Sequence, residues 1–259
     1  MFTKKYNHMV FEYEMIALVL VGIFAGAINT VAGGGSLLTL PLLIFLGLPP
    51  AIANGTNRIA ILCQTASSVA GFKSKGINSF PFSLYIGATA FIGAILGAQI
   101  AVDIKGETFN KILSIIMIVV VVLIVFRKKN NDATTFTEQT TGKPLWISMI
   151  VFFFIGVYGG FINAGVGILM LLILPNINKL SLVKANATKV TVAFIYTTIA
   201  VAIFILNDKI NWKYGITLAI GNSLGAWFMS RYTVKKGDKF IKGALLVIVI
   251  GMALKLWFF

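Results

Sequence analysis

The chain has 259 residues, of which 58% are hydrophobic, and its mean hydropathy is +0.92. Soluble globular proteins average about 45–50% apolar residues, so this composition excludes a soluble domain and indicates an integral membrane protein. The formal net charge of +14 would suggest nucleic-acid binding in a soluble protein. In a membrane protein, basic loop residues set the topology and contact anionic headgroups, so we expect the lipid bilayer, and no nucleic acid, as their partner.

The first half of the chain contains five apolar segments, one of which is too short to cross a membrane. A helix needs about 20 residues to span the hydrocarbon. The triple glycine Gly33-Gly34-Gly35 ends the first helix, and Pro49-Pro50 turns the chain after the second. The predicted helices are residues 13–31, 36–47, 52–72, 80–102 and 108–126. This is a helix, a break and a half-helix, followed by three ordinary spans.

A polar, threonine-rich stretch at residues 127–144 separates this half from a second one with the same order of segments. The helices predicted after it are residues 145–163, 167–177, 183–206, 212–230 and 240–258. We therefore predict two transmembrane repeats, residues 1–126 and 145–259, joined by a cytoplasmic linker at residues 127–144.

Glycine, asparagine and proline recur at the same spacing in both halves. The matching residues, each 134 positions apart, are Gly22 and Gly156, Gly26 and Gly160, Asn29 and Asn163, and Pro41 and Pro175. The Asn-x-Thr elements at residues 54–56 and 186–188 then align at a spacing of 132. Chance rarely preserves such a register, so the pattern indicates an internal duplication. The Gly-x-x-x-Gly pairs within it predict close helix packing.

Loop charge favours a hairpin at each break. If each broken segment returns to its starting side, the loops at residues 73–79, 127–144, 176–184 and 231–242 share one face. Most basic residues then lie on that face, which the positive-inside rule assigns to the cytoplasm. The two halves then insert with opposite orientations. The predicted fold is an all-α polytopic membrane protein of about eight spans, with two inverted repeats that each contain a glycine-broken hairpin and three transmembrane helices.

Two basic residues lie inside predicted helices, whereas all 8 acidic residues fall in tails, loops or span ends. Arg58 and Lys189 follow the two Asn-x-Thr elements, and no carboxylate in the sequence lies near them. An ionisable residue in a span is by default a candidate functional residue. We predict that both bind an anionic substrate. The alternative is that both side chains reach the headgroups.

Neutral donors cluster around the two breaks. Helix N-termini that follow the glycines present N–H groups that can bind an anion. Mutual hydrogen bonds between the broken helices are the alternative role for the asparagines and threonines. The predicted substrate-binding residues are Asn29, Gly33, Gly34, Gly35, Ser36, Asn54, Thr56, Asn57, Arg58, Asn163, Gly167, Asn186, Thr188 and Lys189. With only His8 in the N-terminal tail and Cys63 in an apolar run, we predict no catalytic residue, metal site or cofactor.

The motif residues resemble those of the TauE/SafE sulfite exporter family, also called the toluene sulfonate uptake permease family. The resemblance rests on Ala25-Gly26, the run Gly33-Gly34-Gly35-Ser36-Leu37-Leu38, Pro41, Gly47-Leu48-Pro49-Pro50 and Asn54-Gly55-Thr56-Asn57. It covers the whole chain, although Gly165-Val166-Gly167 replaces the triple glycine in the second half. The resemblance implies a multi-span permease for sulfite, sulfonates or other small anions.

We therefore expect a multi-pass transporter of small anions in the plasma membrane, and not an enzyme. Because no acidic or histidine residue lies within a span, we expect the membrane potential to drive export of a sulfite-like or organosulfonate-like anion. Import coupled to Na⁺ or H⁺ stays open. A homo-oligomeric assembly also stays open. Two functions from other classes of protein are further alternatives: a membrane scaffold and an enzyme that acts on lipid phosphates.

Overall fold

The computed structural model describes the backbone of residues 2–125 and 137–258, and the side chains of residues 14–116, 118–119, 137–241 and 243–244. Within these ranges the chain forms nine α-helices and no strand. The helices are α1 (Phe2–Ala32), α2 (Ser36–Phe45), α3 (Pro50–Lys73), α4 (Phe82–Asp103), α5 (Gly106–Val125), α6 (Gly142–Phe161), α7 (Val166–Ile177), α8 (Leu182–Leu206) and α9 (Trp212–Phe258). The described part of the chain confirms the predicted all-helical class.

The helix bounds differ from the predicted ones by more than two residues at three places. α1 begins at Phe2 and not near residue 13, because neither glycine nor proline interrupts residues 2–21. The range of α9 contains the two helices predicted at 212–230 and 240–258, separated at Gly237, whose φ of 72° and ψ of −168° are not helical, so the first of them extends beyond residue 230. α6 begins at Gly142, before the predicted start at residue 145. Most of the predicted linker, residues 127–136, lies outside the described residues.

Four helices in the described ranges are long and apolar enough to cross a membrane. They are Glu14–Ala32, Phe82–Asp103, Gly142–Phe161 and Leu182–Leu206. α2 and α7 are shorter apolar helices, as predicted for half-helices. α3 has 24 residues, which gives a length of about 36 Å, but it is much less apolar. Seven of its polar side chains are buried inside the protein, namely those of Asn54, Thr56, Asn57, Arg58, Gln64, Thr65 and Ser68.

Glycines allow helices from the two halves to pack backbone against backbone. α1 packs along the first part of α9, and α4 packs along α6. A Cβ atom on Gly26 would lie 2.1 Å from the carbonyl oxygen of Asn222, and one on Gly97 would lie 1.9 Å from that of Val157. These distances are too short for any side chain. The close packing predicted from the Gly-x-x-x-Gly pairs is therefore confirmed, and it joins one half of the chain to the other.

Loops from both halves meet at the end of the bundle where α3 ends and α8 begins. The backbone N–H of Gln139 donates to the carbonyl oxygen of Asn178 over 2.9 Å. The backbone N–H groups of Leu182 and Val183 donate to the carboxylate of Asp238 over 2.9 and 3.0 Å. Ile77, in the loop after α3, packs in the same apolar cluster as Val234. The segments at residues 73–79, 137–141, 176–184 and 231–242 thus lie together.

The opposite end of the bundle carries the remaining loops. The backbone N–H of Asn211, between α8 and α9, donates to the Thr56 hydroxyl over 2.9 Å. Gly106, at the start of α5, lies beside the Pro50 ring at the start of α3. The bundle therefore has two ends with different loop sets, and the breaks between α1 and α2 and between α6 and α7 lie in its interior.

Candidate functional site

The two helix breaks touch each other inside the bundle. After α1 the chain turns at Gly33, with a φ of 84°, and after α6 it turns at Asn163 and Gly165, with φ values of 61° and 74°. Glycine and asparagine adopt this left-handed conformation at low cost. A Cβ atom on Gly33 would lie 2.2 Å from the carbonyl carbon of Gly167, so only glycine fits there. The second break ends at Gly165, so Gly167 itself lies in the first turn of α7.

The C-terminal end of α6 is capped by side chains of α3. The Asn54 amide donates to the carbonyl oxygen of Phe161 over 2.7 Å. The two terminal nitrogens of Arg58 donate to the carbonyl oxygens of Gly159 and Gly160 over 2.9 and 2.5 Å. The guanidinium is fully buried and lies 4.9 Å from the ring centroid of Phe204. Arg58 therefore satisfies main-chain carbonyls that the helix break leaves without partners.

The C-terminal end of α1 is capped in a similar way by side chains of α8. The Asn186 amide donates to the carbonyl oxygen of Val31 over 3.1 Å. The Lys189 ammonium donates to the carbonyl oxygens of Asn29 and Thr30, each over 2.9 Å, and to the Asn186 side-chain oxygen over 2.6 Å. In each half, the helix with the Asn-x-Thr element thus caps the broken helix of the other half.

These caps determine the sign of the electrostatic field at the breaks. The C-terminal ends of α1 and α6 carry partial negative charge, and the N-terminal ends of α2 and α7 carry partial positive charge. Lys189 and Arg58 cover the two negative ends with full positive charges. The positive ends of α2 and α7 have no such counter-charge among the described residues. The breaks therefore favour an anion over a cation.

A narrow cavity with about 20 Å³ of space for a water-sized molecule lies beside the breaks. The residues that line it are Asn29, Ser36, Ile61, Gln64, Thr65, Asn163, Gly167, Met170, Lys189, Val190, Ala193 and Tyr196. None of these described lining residues is acidic. The described residues also contain no group of three His, Cys, Asp or Glu side chains that could hold a metal ion.

Two hydrogen-bonded pairs, one from each half, form the polar wall of the cavity. The Asn29 amide donates to the Gln64 side-chain oxygen over 2.8 Å. The Tyr196 hydroxyl donates to the Asn163 side-chain oxygen over 2.5 Å. Asn163 follows Asn29 by 134 positions and Tyr196 follows Gln64 by 132, the same spacings as in the sequence repeat. The wall is thus built from corresponding positions of the two halves.

Gln64 has a donor that no described group accepts. Its side-chain nitrogen is buried and has no hydrogen-bond partner, although the residue lines the cavity. A buried amide N–H without an acceptor costs about 1–3 kcal/mol. An acceptor atom of a molecule in the cavity would remove this cost. Gln64 is therefore the clearest candidate for a direct contact with a bound molecule.

The predicted site residues separate into two groups. Asn29, Ser36, Asn163, Gly167 and Lys189 line the cavity. The others belong to the turns and caps around it. Gly33, Gly34 and Gly35 form the first break, and Asn54, Arg58 and Asn186 cap the helix ends. The last three residues make hydrogen bonds away from the cavity: Asn57 accepts from the Thr39 hydroxyl, Thr56 accepts from the backbone N–H of Asn211, and Thr188 donates to the carbonyl oxygen of Lys184.

Three polar lining residues, Gln64, Thr65 and Tyr196, are absent from the predicted site. The available signal was the spacing of 132 between Gln64 and Tyr196, which equals that of the Asn-x-Thr elements. Glutamine and tyrosine are different residue types, however, so a search for identical residues in the two halves does not pair them. A glutamine inside a predicted membrane helix was the second signal.

Comparisons with known proteins identify a family and several membrane transporters that resemble the chain. The family model described as sulfite exporter TauE/SafE matches residues 18–256. The probable membrane transporter protein ORF9 of Sinorhizobium sp is 27% identical over 94% of this chain and 93% of its own length. A probable membrane transporter protein of Haemophilus influenzae is 28% identical over 94% of each chain. The probable membrane transporter protein YfcA of Escherichia coli K12 is 27% identical over 92% of this chain and 88% of its own. No solved structure matches the chain.

Proposed function

Because the chain belongs to the sulfite exporter TauE/SafE family of multi-pass plasma-membrane transporters, we propose that it is a secondary transporter of small anions and not an enzyme. The observation that carries this proposal is the cavity at the meeting point of the two helix breaks. The Lys189 ammonium and several neutral donors line this cavity, and none of the described lining residues is acidic. Discontinuous helices whose N-terminal ends face an anion are the usual substrate site in such transporters.

The proposed substrate contacts are the neutral donors, with Lys189 supplying charge. All three N–H donors of the ammonium are already bound to oxygens. Lys189 therefore attracts the anion through its charge, while the free N–H of Gln64 donates to a substrate oxygen. Asn29, Asn163 and the N–H groups near Gly167 complete the set, and Ser36 holds the second break in place because its hydroxyl donates to the carbonyl oxygen of Asn163 over 2.9 Å. The remaining predicted residues hold the helix ends that form the walls.

The proposed topology is two duplicated halves inserted in opposite orientations, with about eight spans. The uneven distribution of charge between the two ends of the bundle supports it. The end formed by residues 73–79, 137–144, 176–184 and 231–242 has two acidic residues among its described side chains, Glu138 and Asp238, against nine basic ones, which are Lys73, Lys75, Lys143, Lys179, Lys184, Arg231, Lys235, Lys236 and Lys239. The other end mixes Lys105, Lys111, Lys209 and Lys213 with Asp103, Glu107 and Asp208. The positive-inside rule then assigns the first end, and the linker, to the cytoplasm.

The proposed direction is export of sulfite or an organosulfonate. Moving a monovalent anion out of a negative-inside cell is favoured by about 2.3 kcal/mol for each 100 mV of membrane potential. The described lining residues include no carboxylate or histidine that could carry a coupled proton. Export therefore needs no coupled ion, whereas import would need Na⁺ or H⁺.

Uptake by proteoliposomes tests this function. The purified protein is reconstituted, and the initial uptake of labelled sulfite, organosulfonates and carboxylates is compared with uptake by protein-free liposomes. We expect protein-dependent flux of sulfite or a sulfonate that unlabelled substrate inhibits. Correctly folded protein that moves none of these anions faster than bare liposomes would contradict the proposal.

A further inference from the structure

Lys189 crosses the junction of the two breaks to reach its partners. Its Cδ atom would lie 3.2 Å from a Cβ atom on Gly167, so the methylene chain passes directly over the first turn of α7, next to the second break. The ammonium then lies among three oxygens: the carbonyl oxygens of Asn29 and Thr30 and the side-chain oxygen of Asn186. Only 3% of the residue is exposed. An ammonium has three donors, and each has one acceptor here.

These three oxygens form a cation cage. Main-chain carbonyls at the C-terminal end of a broken helix are the ligands that coordinate a coupling cation in other transporters with discontinuous helices. Here two such carbonyls come from α1 and the third oxygen comes from α8, so whatever cation lies in the cage also joins the two halves of the chain. The described residues place no carboxylate in it.

We infer that the oxygen cage of Asn29, Thr30 and Asn186 is a monovalent-cation site that the chain fills permanently with its own Lys189 ammonium. The resident ammonium occupies the place of a coupling ion and keeps the two halves joined. Two consequences follow. The native protein has no vacancy for Na⁺ at this cage, and a variant that removes the ammonium gains a site for a free cation. The consequence for energy coupling rests on the proposed function, whereas the cage itself does not.

Thermal unfolding in detergent tests the cage without any transport assay. Lys189→Ala vacates the path of the side chain, whereas Lys189→Met fills a similar path without charge. The unfolding temperatures of both variants and of the wild type are measured in NaCl, KCl, ethylammonium chloride and choline chloride at equal ionic strength. Choline is too large for the cage and serves as the reference salt.

We expect the small cations to raise the unfolding temperature of Lys189→Ala in a saturable manner, because a ligand that binds only the folded state stabilises it. The wild type and Lys189→Met should show no such response. A Lys189→Ala variant that folds but responds to no small cation, or a wild type that responds to Na⁺ as strongly as the variant does, would overturn the inference.

If Lys189→Ala yields no folded protein in any salt, the wild type decides the question. Its anion flux should be unchanged when choline replaces Na⁺ on both sides of the membrane, and a fall of about tenfold or more would overturn the inference. Where Lys189→Ala does fold, failure of the proposed function looks different, because the wild type then moves no anion in any salt while the unfolding response of Lys189→Ala is retained.

Discussion

Asn29 with Gln64, and Asn163 with Tyr196, are two chemical versions of one arrangement. In each, an asparagine at a helix break is hydrogen-bonded to a side chain of the long helix that follows. The two versions leave different atoms available. Gln64 keeps an N–H without an acceptor, whereas Tyr196 donates its single hydroxyl proton to Asn163. We therefore expect the side of the cavity formed by the first half to supply the direct contact with an anion.

Replacement of Gln64 tests that contact. Gln64→Leu keeps a similar volume but removes the donor, so we expect the KM for the transported anion to rise by about tenfold, equivalent to about 1.4 kcal/mol of lost binding. Gln64→Glu adds a negative charge beside the anion and should reduce transport to background. Initial rates in proteoliposomes provide the measurement. Cys63→Ala, at the exposed neighbouring position, is the matched control and should transport normally. An unchanged KM for Gln64→Leu would remove Gln64 from the site.

At the scale of helices, each half supplies a broken helix and also the cap for the broken helix of the other half. The breaks and half-helices could be predicted from the sequence because glycine and proline limit helices through their own backbone chemistry. The caps could not. An unpaired arginine such as Arg58 fits an anion site and a helix end equally well until the contacts of its guanidinium are known. That Gln64 and Tyr196 occupy corresponding positions in the two halves could not be seen by matching identical residues in the sequence, because their residue types differ.

Arg58→Ala distinguishes a helix cap from a substrate contact. The substitution leaves the carbonyl oxygens of Gly159 and Gly160 without donors, at a cost of about 1–3 kcal/mol for each buried group. We expect the unfolding temperature in detergent to fall by several degrees, and the transport per folded molecule to fall less than for Gln64→Leu. Arg58→Lys should recover part of the stability because it keeps the charge with a different geometry.

Arg231→Ala is the control for Arg58→Ala, since Arg231 is only partly buried and lies over the Trp227 ring, a contact that contributes about 1 kcal/mol or less at an exposed site. Its unfolding temperature should change little. An Arg58→Ala protein that melts like the wild type but transports nothing would instead identify Arg58 as a counter-charge for the substrate.

At the scale of the whole molecule, the described loops divide between a strongly basic end and an end of mixed charge. The hydrogen bonds of Gln139 and Asp238 hold loops of different segments together at the basic end. This grouping is the one that the proposed hairpin topology requires. Sequence alone could group the loops only by counting charges, because the contacts that join them are tertiary.

Cysteine labelling tests the orientation. In a Cys63→Ala background, which removes the single native cysteine, one cysteine is introduced at Lys75, Lys105, Lys143 or Asn207. We expect a membrane-impermeant maleimide to label Lys105→Cys and Asn207→Cys in intact cells, and to label Lys75→Cys and Lys143→Cys only after permeabilisation. The two halves then have opposite orientations. Labelling of Lys75→Cys and Asn207→Cys from the same side of the membrane would contradict this topology.

The central claim is that an anion crosses the membrane through the cavity between the two breaks, driven by the membrane potential. The most direct measurement is anion flux in proteoliposomes whose potential is clamped with K⁺ and valinomycin, for the wild type and Gln64→Leu. We predict that wild-type flux increases with the potential that drives the anion, without a Na⁺ or pH gradient, and that Gln64→Leu lowers it at subsaturating substrate. Flux that follows a pH gradient at zero potential, for an anion that does not titrate in that range, would contradict the account.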